Sequence, residues 1–353
     1  MPLLAREAPS LLGLDISSTA VKLVELSRKG NAYRIESYAV EPLPAGAVVE
    51  KTIVNIEAIA ESIRRAVKRS RTRAKMAAVA VAGSAVITKI ISMPATLNDD
   101  DMASQIEYEA PQYIPYPLKE VSLDFQVVGP TRKSPDMVDV VLAASRSEHV
   151  DMRVAAVEMG GLTAKIVDVE AYATETALAL IADQMPGKGK EKIIAVFDVG
   201  ATMMSFTVLE DLRIIYTREQ LFGGQQLTEA IQQRYNLSPE EAGKAKRQGG
   251  LPDDYITEVL EPYKETMAQQ ITRSLQFFFS SSHYNKVDHI LLAGGNAFIP
   301  GIASLIESKT DIPTSIANPF VGMSTSSRVN PQAINNDAPA LMIACGLALR
   351  SFD

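Results

Sequence analysis

LLGLDISSTAVKLVEL, residues 11–26, is the stretch on which the reading of this chain turns. Apolar and polar residues alternate on both sides of a small polar tip, the pattern of a β-hairpin with one face toward a core. The tip carries Asp15, Ser17, Ser18 and Thr19, and Lys22 follows. Small side chains in a tight turn let backbone N–H groups approach a phosphate. A carboxylate at the strand end can hold Mg²⁺ through water. Taken alone, the stretch reads equally well as a plain polar turn.

A second copy changes the balance. AVFDVGATMMSFTVLE, residues 195–210, repeats the layout, with Asp198 ahead of Gly200, Ala201 and Thr202. Two hairpins led by an aspartate predict a duplicated domain that grips one nucleotide between its halves. HILLAGGNAFIPGI, residues 289–302, is an apolar strand running into Gly294, Gly295 and Asn296. Paired glycines after a buried strand let a flat ligand lie against the backbone. In LFGGQQLTEAI, Gly223 and Gly224 open a helix, a position suited to anions.

The composition of the 353-residue chain, 46% apolar and 22% charged, is that of a soluble globular protein with room for several domains. A formal charge of −7 argues against nucleic acid as a partner. Cys345 is the only cysteine, which excludes an internal disulfide and fits a reducing compartment. Three scattered histidines make a zinc site a poor expectation. Residues 1–10 lack the basic start and apolar core of a signal peptide, and no apolar run reaches the roughly 20 residues of a membrane span. A cytoplasmic location is expected.

Between the motifs, NIEAIAESIRRAVKRSR predicts a helix capped by Asn55, with Ile56, Ile59, Ile63 and Val67 on one face. Its basic end, residues 64–75, is expected to be a solvated helix terminus rather than a lipid patch. AAVAVAGSAVITKIISM predicts a buried strand pair. A second module is expected as helix 99–112, strands 121–128 and 137–144, and helix 147–159. Inside it, EYEAPQYIPYPLKEV sets Tyr108, Tyr113 and Tyr116 among prolines. An extended, stiff, aromatic segment of this kind either lines a peptide groove or fills a domain seam. TAKIVDVEAYATETALALIA runs from strand into helix with Glu170 at the junction, and SPEEAGKAKRQGG predicts a charged helix bearing Glu241 and Lys244. A long amphipathic helix is expected over about 254–282, with Phe277, Phe278 and Phe279 in the core. GMSTSSRVNPQAINND reads as a polar loop.

In their order along nearly the whole chain, these motifs resemble the FtsA branch of the actin-like ATPases and, within it, the type IV pilus assembly protein PilM family. The resemblance implies an α/β actin-like ATPase fold of two duplicated halves flanking a nucleotide cleft, with an FtsA-type 1C subdomain. The implied divisions are 1–92 (1A), 93–160 (1C), 161–226 (connecting helix and 2A), 227–287 (2B) and 288–353 (rest of 2A and the return helix). Carried over by position, Asp15 and Asp198 would hold Mg²⁺ through waters. Ser17, Ser18, Lys22, Gly200, Ala201 and Thr202 would contact the phosphates of ATP. Glu170 would orient a water, Glu241 and Lys244 would meet ribose and base, and Gly294, Gly295 and Asn296 the adenosine. Ser17 stands where the family has glycine. Serine resists positive φ, so slow turnover is expected.

The implied partner is the cytoplasmic N-terminal segment of PilN, held between 1A and 1C, where Tyr108, Tyr113 and Tyr116 fall. Other inner-membrane platform and motor ATPase proteins of the pilus are further implied partners, and self-association stays open. Without the amphipathic tail of FtsA, the chain is expected at the inner membrane only through its partner. Two other readings stand beside this one: a sugar- or acetate-type kinase of the same superfamily, and a filament-forming cytoskeletal ATPase.

Overall fold

The computed structural model describes residues 11–131 and 134–352, so the signal-peptide reading of residues 1–10 lies outside the described residues. The chain opens with a meander, β1 (Leu11–Ile16), β2 (Ala20–Lys29) and β3 (Ala32–Pro42), followed by a small hairpin of β4 (Val48–Val49) and β5 (Thr52–Ile53). Helix α1 (Ile56–Ser70) begins at Asn55, whose side chain accepts from Ala58 N–H, and buries Ile59 and Ile63. Strand β6 (Met76–Val81) pairs parallel to β1.

The next strand does not pair with β6. β7 (Val86–Pro94) is largely exposed and joins a separate three-stranded sheet with β8 (Val121–Thr131) and β9 (Ser134–Arg146), the latter in the centre. This corrects the expected buried strand pair. Two apolar runs joined by a short turn look alike whether the chain stays in one sheet or crosses to another. It also puts β7 in the small sheet, ahead of the division drawn at 92/93. Helix α2 (Asp99–Glu109) covers one face of that sheet through Met102 and Ile106. The Tyr/Pro stretch after it is not extended. It folds into 3₁₀ turns at Ala110–Gln112 and Leu118–Glu120, because Pro111 is accepted within a first helical turn.

Helix α3 (Ser147–Met159) leads back to the large sheet, burying Ala156 and Val157 in the cluster that holds Ile63. β10 (Thr163–Val169) pairs parallel to β6, and α4 (Glu170–Ile181) follows directly. The second half then repeats the first: β11 (Ile193–Val199), β12 (Met203–Glu210) and β13 (Arg213–Leu221) form an antiparallel meander. Helices α5 (Gly224–Tyr235), α6 (Pro239–Gln248) and α7 (Glu261–Ser281) come next, α7 after a π-helical turn at Ile256–Leu260. Of the phenylalanine triplet, Phe278 is buried and Phe279 packs beside it. Phe277 is half exposed, under the Arg218 guanidinium.

Strand β14 (His289–Ala293) adds parallel to β11, then α8 (Ile302–Thr310) and β15 (Thr314–Ile316) complete the sheet. The expected polar loop contains β16 (Ser324–Thr325), which extends the first sheet beside β3, and helix α9 (Pro331–Asp337), capped by Asn330. These short elements carry no apolar period of their own, so the pattern could not show them. Helix α10 (Met342–Leu349) follows, and a 3₁₀ turn at Arg350–Phe352 comes back to β1 through Ser351 and Leu11.

The sheet orders are β10-β6-β1-β2-β3-β16 and β13-β12-β11-β14-β15. Both contain a meander whose first strand continues through two parallel strands, so the duplication is visible as topology. Between the sheets lie α4 and α10. A Cβ at Gly346 would sit 1.8 Å from the Ala173 carbonyl oxygen, and one at Gly13 would sit 1.9 Å from that of Ala344. Only glycine lets α10 approach both α4 and β1 this closely. Among the described residues, no helix is long and apolar enough to cross a membrane. In the basic run, Arg64 pairs with Glu61 at 2.7 Å and Arg65 with Glu41 at 2.8 Å.

Candidate functional site

The duplicated meanders bring their tips together. Ser18 Oγ and Thr202 Oγ1 share a hydrogen bond of 2.8 Å across the two halves. Behind the first tip, Asp15 is 4% exposed and accepts from Lys22 Nζ at 2.9 Å, its register partner on β2. Ser17 closes the turn twice: its N–H and its hydroxyl donate to the Ala20 carbonyl, at 3.0 and 2.9 Å. Its φ is not positive, and neither is that of Gly200, the matching residue of the second tip. The strain expected at Ser17 is therefore absent, because this turn does not use the left-handed region.

The second tip is built around glycine. Gly200 N–H donates to Met203 O at 2.9 Å, while Gly224 N–H and Gln225 N–H, at the start of α5, donate to Gly200 O and Ala201 O. Asn296 holds the Gly200 carbonyl as well, its Nδ2 donating to Val199 O at 3.1 Å and Gly200 O at 2.7 Å. Gly223 lies within this turn, where a Cβ would meet the Ala201 carbonyl oxygen at 2.4 Å. At Gly294, φ is +85°, and a Cβ would meet Asp198 Oδ1 at 2.5 Å. Glycine is required there both by the backbone and by the neighbour. Gly295 faces open space.

Asp198 sits at the end of β11, and its pKa is pushed up to about 6. Burial is the main cause, with Asp15 and Glu170 adding to it and Lys22 and Lys51 opposing. For Lys22, burial pulls the ammonium pKa down, but the carboxylates of Asp15, Asp198 and Glu170 outweigh it and raise the value. A cavity of about 200 Å³ lies beneath, lined by Glu170, Asp198, Ser205, Thr217 and Glu219. It is smaller than the roughly 300–1,000 Å³ of a pocket for a whole drug-sized ligand.

Glu170 heads α4 and is 8% exposed. Its carboxylate accepts from Lys51 Nζ, which also reaches Ser205 Oγ at 3.2 Å and Glu219 Oε1 at 3.1 Å. Sequence reasoning missed Lys51 and Glu219. Lys51 sits in a two-residue hairpin tip with no motif around it, and Glu219 lies on an edge strand, so only folding joins them.

Glu241 and Lys244 are not joined to this group. Glu241 is the third residue of α6 and completes a capping box, accepting from Ser238 N–H and Oγ at 2.8 and 2.7 Å. With Lys244 it lines a separate groove beside Tyr235 and Leu251. Lys246, on the opposite face of α6, reaches the site instead, donating to Gly224 O and to Thr228 Oγ1. Burial pulls its ammonium pKa down to about 8. The three tyrosines diverge as well. Tyr113 packs into the small domain's core, Tyr108 is 84% exposed, and Tyr116 is 44% exposed beside the Arg146 guanidinium.

A model of the type IV pilus assembly protein PilM family matches residues 13–352. Among solved structures, a PilM–PilN type IV pilus biogenesis complex is 28% identical, covering 98% of this chain and 99% of that one, with a TM-score of 0.81. The ethanolamine utilization protein EutJ from Carboxydothermus hydrogenoformans is 17% identical over 99% of this chain and 91% of that one, with a TM-score of 0.58. MreB5 of Spiroplasma citri bound to ADP is 13% identical over 96% and 95%, with a TM-score of 0.50. The last two share the fold, which is that of the actin-like ATPases. With its duplicated sheets, converging tips and a family match over nearly its whole length, the chain belongs to the type IV pilus assembly protein PilM family.

Proposed function

We propose that this chain is a nucleotide-dependent scaffold of the type IV pilus inner-membrane assembly complex. It binds Mg-ATP between the two hairpin tips and holds the cytoplasmic N-terminal segment of PilN between the first large domain and the small sheet. The observation that carries the nucleotide reading is the convergence of Asp15, Asp198, both tip turns and the Gly294–Asn296 cradle on one cleft. Asp15 and Asp198 would hold Mg²⁺, the N–H groups of Ser18, Ala201 and Thr202 with the Lys22 ammonium would meet the phosphates, and Gly295 would take the flat adenosine face. Lys246 takes over the part expected of Lys244. The metal supplies charge neutralisation for the phosphates when bound. Turnover is slow, because Glu170 is occupied by Lys51 rather than free to orient water. The PilN reading is supported by the likeness to the PilM–PilN complex, and the peptide then meets the exposed Tyr108 and Tyr116, with Tyr113 structural. The chain is peripheral at the inner membrane through PilN.

Calorimetry tests both arms on one set of variants. Asp198→Ala weakens Mg-ATP at least ~10-fold, equivalent to about 1.4 kcal/mol, and leaves metal-free ATP near parental. Tyr116→Ala weakens a PilN N-terminal peptide and spares ATP. Equal Mg-ATP affinity in Asp198→Ala and parent removes the nucleotide reading, and unchanged peptide affinity in Tyr116→Ala removes the docking site.

A further inference from the structure

The two central hairpins match in register, and one position breaks the match. Lys22 stands opposite Asp15 on the first. Opposite Asp198 on the second stands Ser205, which carries no charge. The ammonium that reaches Ser205 comes from the other half of the molecule, on Lys51. We propose that Lys51 is a positioning residue of the cleft: a clasp that supplies to the second hairpin, from across the domain boundary, the cation that Lys22 supplies to the first. Its assignment deepens the nucleotide reading by naming what holds Glu170, and rests on that reading for the importance of Glu170.

The geometry of Lys51 is set from both ends. Its backbone forms the tip between β4 and β5, where Glu50 and Lys51 have φ of 46° and 64°. Two left-handed residues make the primed turn that suits a tight hairpin, and they leave the tip one shape. The Lys51 carbonyl accepts from Arg153 Nη2 at 3.1 Å. Arg153 is 3% exposed and also donates to Ala80 O at 2.5 Å and His149 O at 3.2 Å. Ala80 lies near the end of β6, where the chain leaves for the small sheet, and α3 is where it returns. One buried guanidinium therefore ties both junctions of the small domain to the Lys51 turn.

At the other end, an ammonium has three N–H donors. Here three acceptors take them, on α4, β12 and β13: Glu170, Ser205 and Glu219. The remaining Glu219 oxygen, Oε2, is buried without a hydrogen-bond partner. Removing Lys51 would leave Glu170, Glu219 and Asp198 close together in a poorly solvated cleft, with the more distant charges of Lys22 and Arg153 to offset them. Like charges held at short range in such a site repel strongly, and the halves are free to part.

Spin labels at Glu158→Cys on α3 and Gln233→Cys on α5, both exposed positions, report the separation of the halves by pulsed dipolar spectroscopy. Lys51→Gln shifts the distances longer and broader, whereas Lys51→Arg stays near parental because the charge is kept. Arg153→Lys shifts them in the same direction as Lys51→Gln. The double variant Lys51→Gln/Glu219→Gln returns part of the way, since one repelling carboxylate is gone. Lys89→Gln, exposed on β7, changes nothing. A Lys51→Gln distribution equal to the parent's overturns the clasp, as does a double variant no closer to parental than Lys51→Gln alone. If Lys51→Gln does not fold, Glu219→Gln carries the test through a smaller lengthening, and its absence is equally fatal. A parent that binds no Mg-ATP ends the nucleotide reading, while these distances still decide the clasp.

Discussion

The first hairpin tip and the second are built on one plan, with Asp15 matching Asp198, Ser17 matching Gly200 and Lys22 matching Ser205. The turns are alike: Ser17 and Gly200 each donate a backbone N–H to the carbonyl three residues on. The electrostatics are not. Asp15 is neutralised within its own hairpin at 2.9 Å, whereas Asp198 depends on cations from elsewhere and is left with a pKa of about 6. A duplicated backbone thus gives two equivalent turns, and side-chain differences turn them into a self-contained tip and a dependent one.

The sharpest way to break this comparison is through the cations. Lys22→Met leaves Asp15 buried without its partner, and breaking such a pair costs about 3–5 kcal/mol. Ser205→Ala removes one shared hydroxyl acceptor and costs about 1 kcal/mol. Urea unfolding of both variants measures the gap. Equal losses would mean that the tips do not differ in the way described.

A pH titration sharpens the second tip. The folded pKa of Asp198 lies above its ordinary value of 3.8, so the folded chain binds more protons than the unfolded one between about 4 and 6. Its contribution to stability is therefore fully present below that window and is lost as pH rises through it. On the proposed metal site, magnesium needs the ionised form, so Mg-ATP affinity is expected to fall about tenfold per pH unit below 6. Asp198→Asn abolishes that slope, and a slope that survives in Asp198→Asn assigns the titration to another group.

The smallest effect concerns the turn itself. Ser17→Gly loses the hydroxyl bond to Ala20 and costs about 1 kcal/mol or less, with Mg-ATP affinity unchanged. A large gain in ATP turnover for Ser17→Gly would revive the idea that serine strains this turn.

Much of the fold was readable because its signals are local. Alternation around Asp15 and Asp198 marked both hairpins, Asn55 marked a helix start, and paired glycines marked the strand end at Gly294. What stayed hidden has no local signature. β7 crosses to another sheet, although as a run rich in branched apolar residues next to β6 it reads as that strand's neighbour. Glu241 reads as a ligand contact until Ser238 captures it in a capping box. Tyr113 turns inward while Tyr116 stays out, because helical turns rather than an extended chain follow α2.

The sequence by itself determined the duplicated hairpins, the glycine turns and the family, since each rests on residue types a few positions apart. Tertiary structure alone decided which charges from distant parts of the chain meet. Lys51, Arg153, Glu170 and Glu219 lie far apart in the chain, on a hairpin tip, two helices and an edge strand, and no periodicity links them. Their contact depends on how two sheets and a small domain pack, and burial in that packing is what makes each unpaired charge costly.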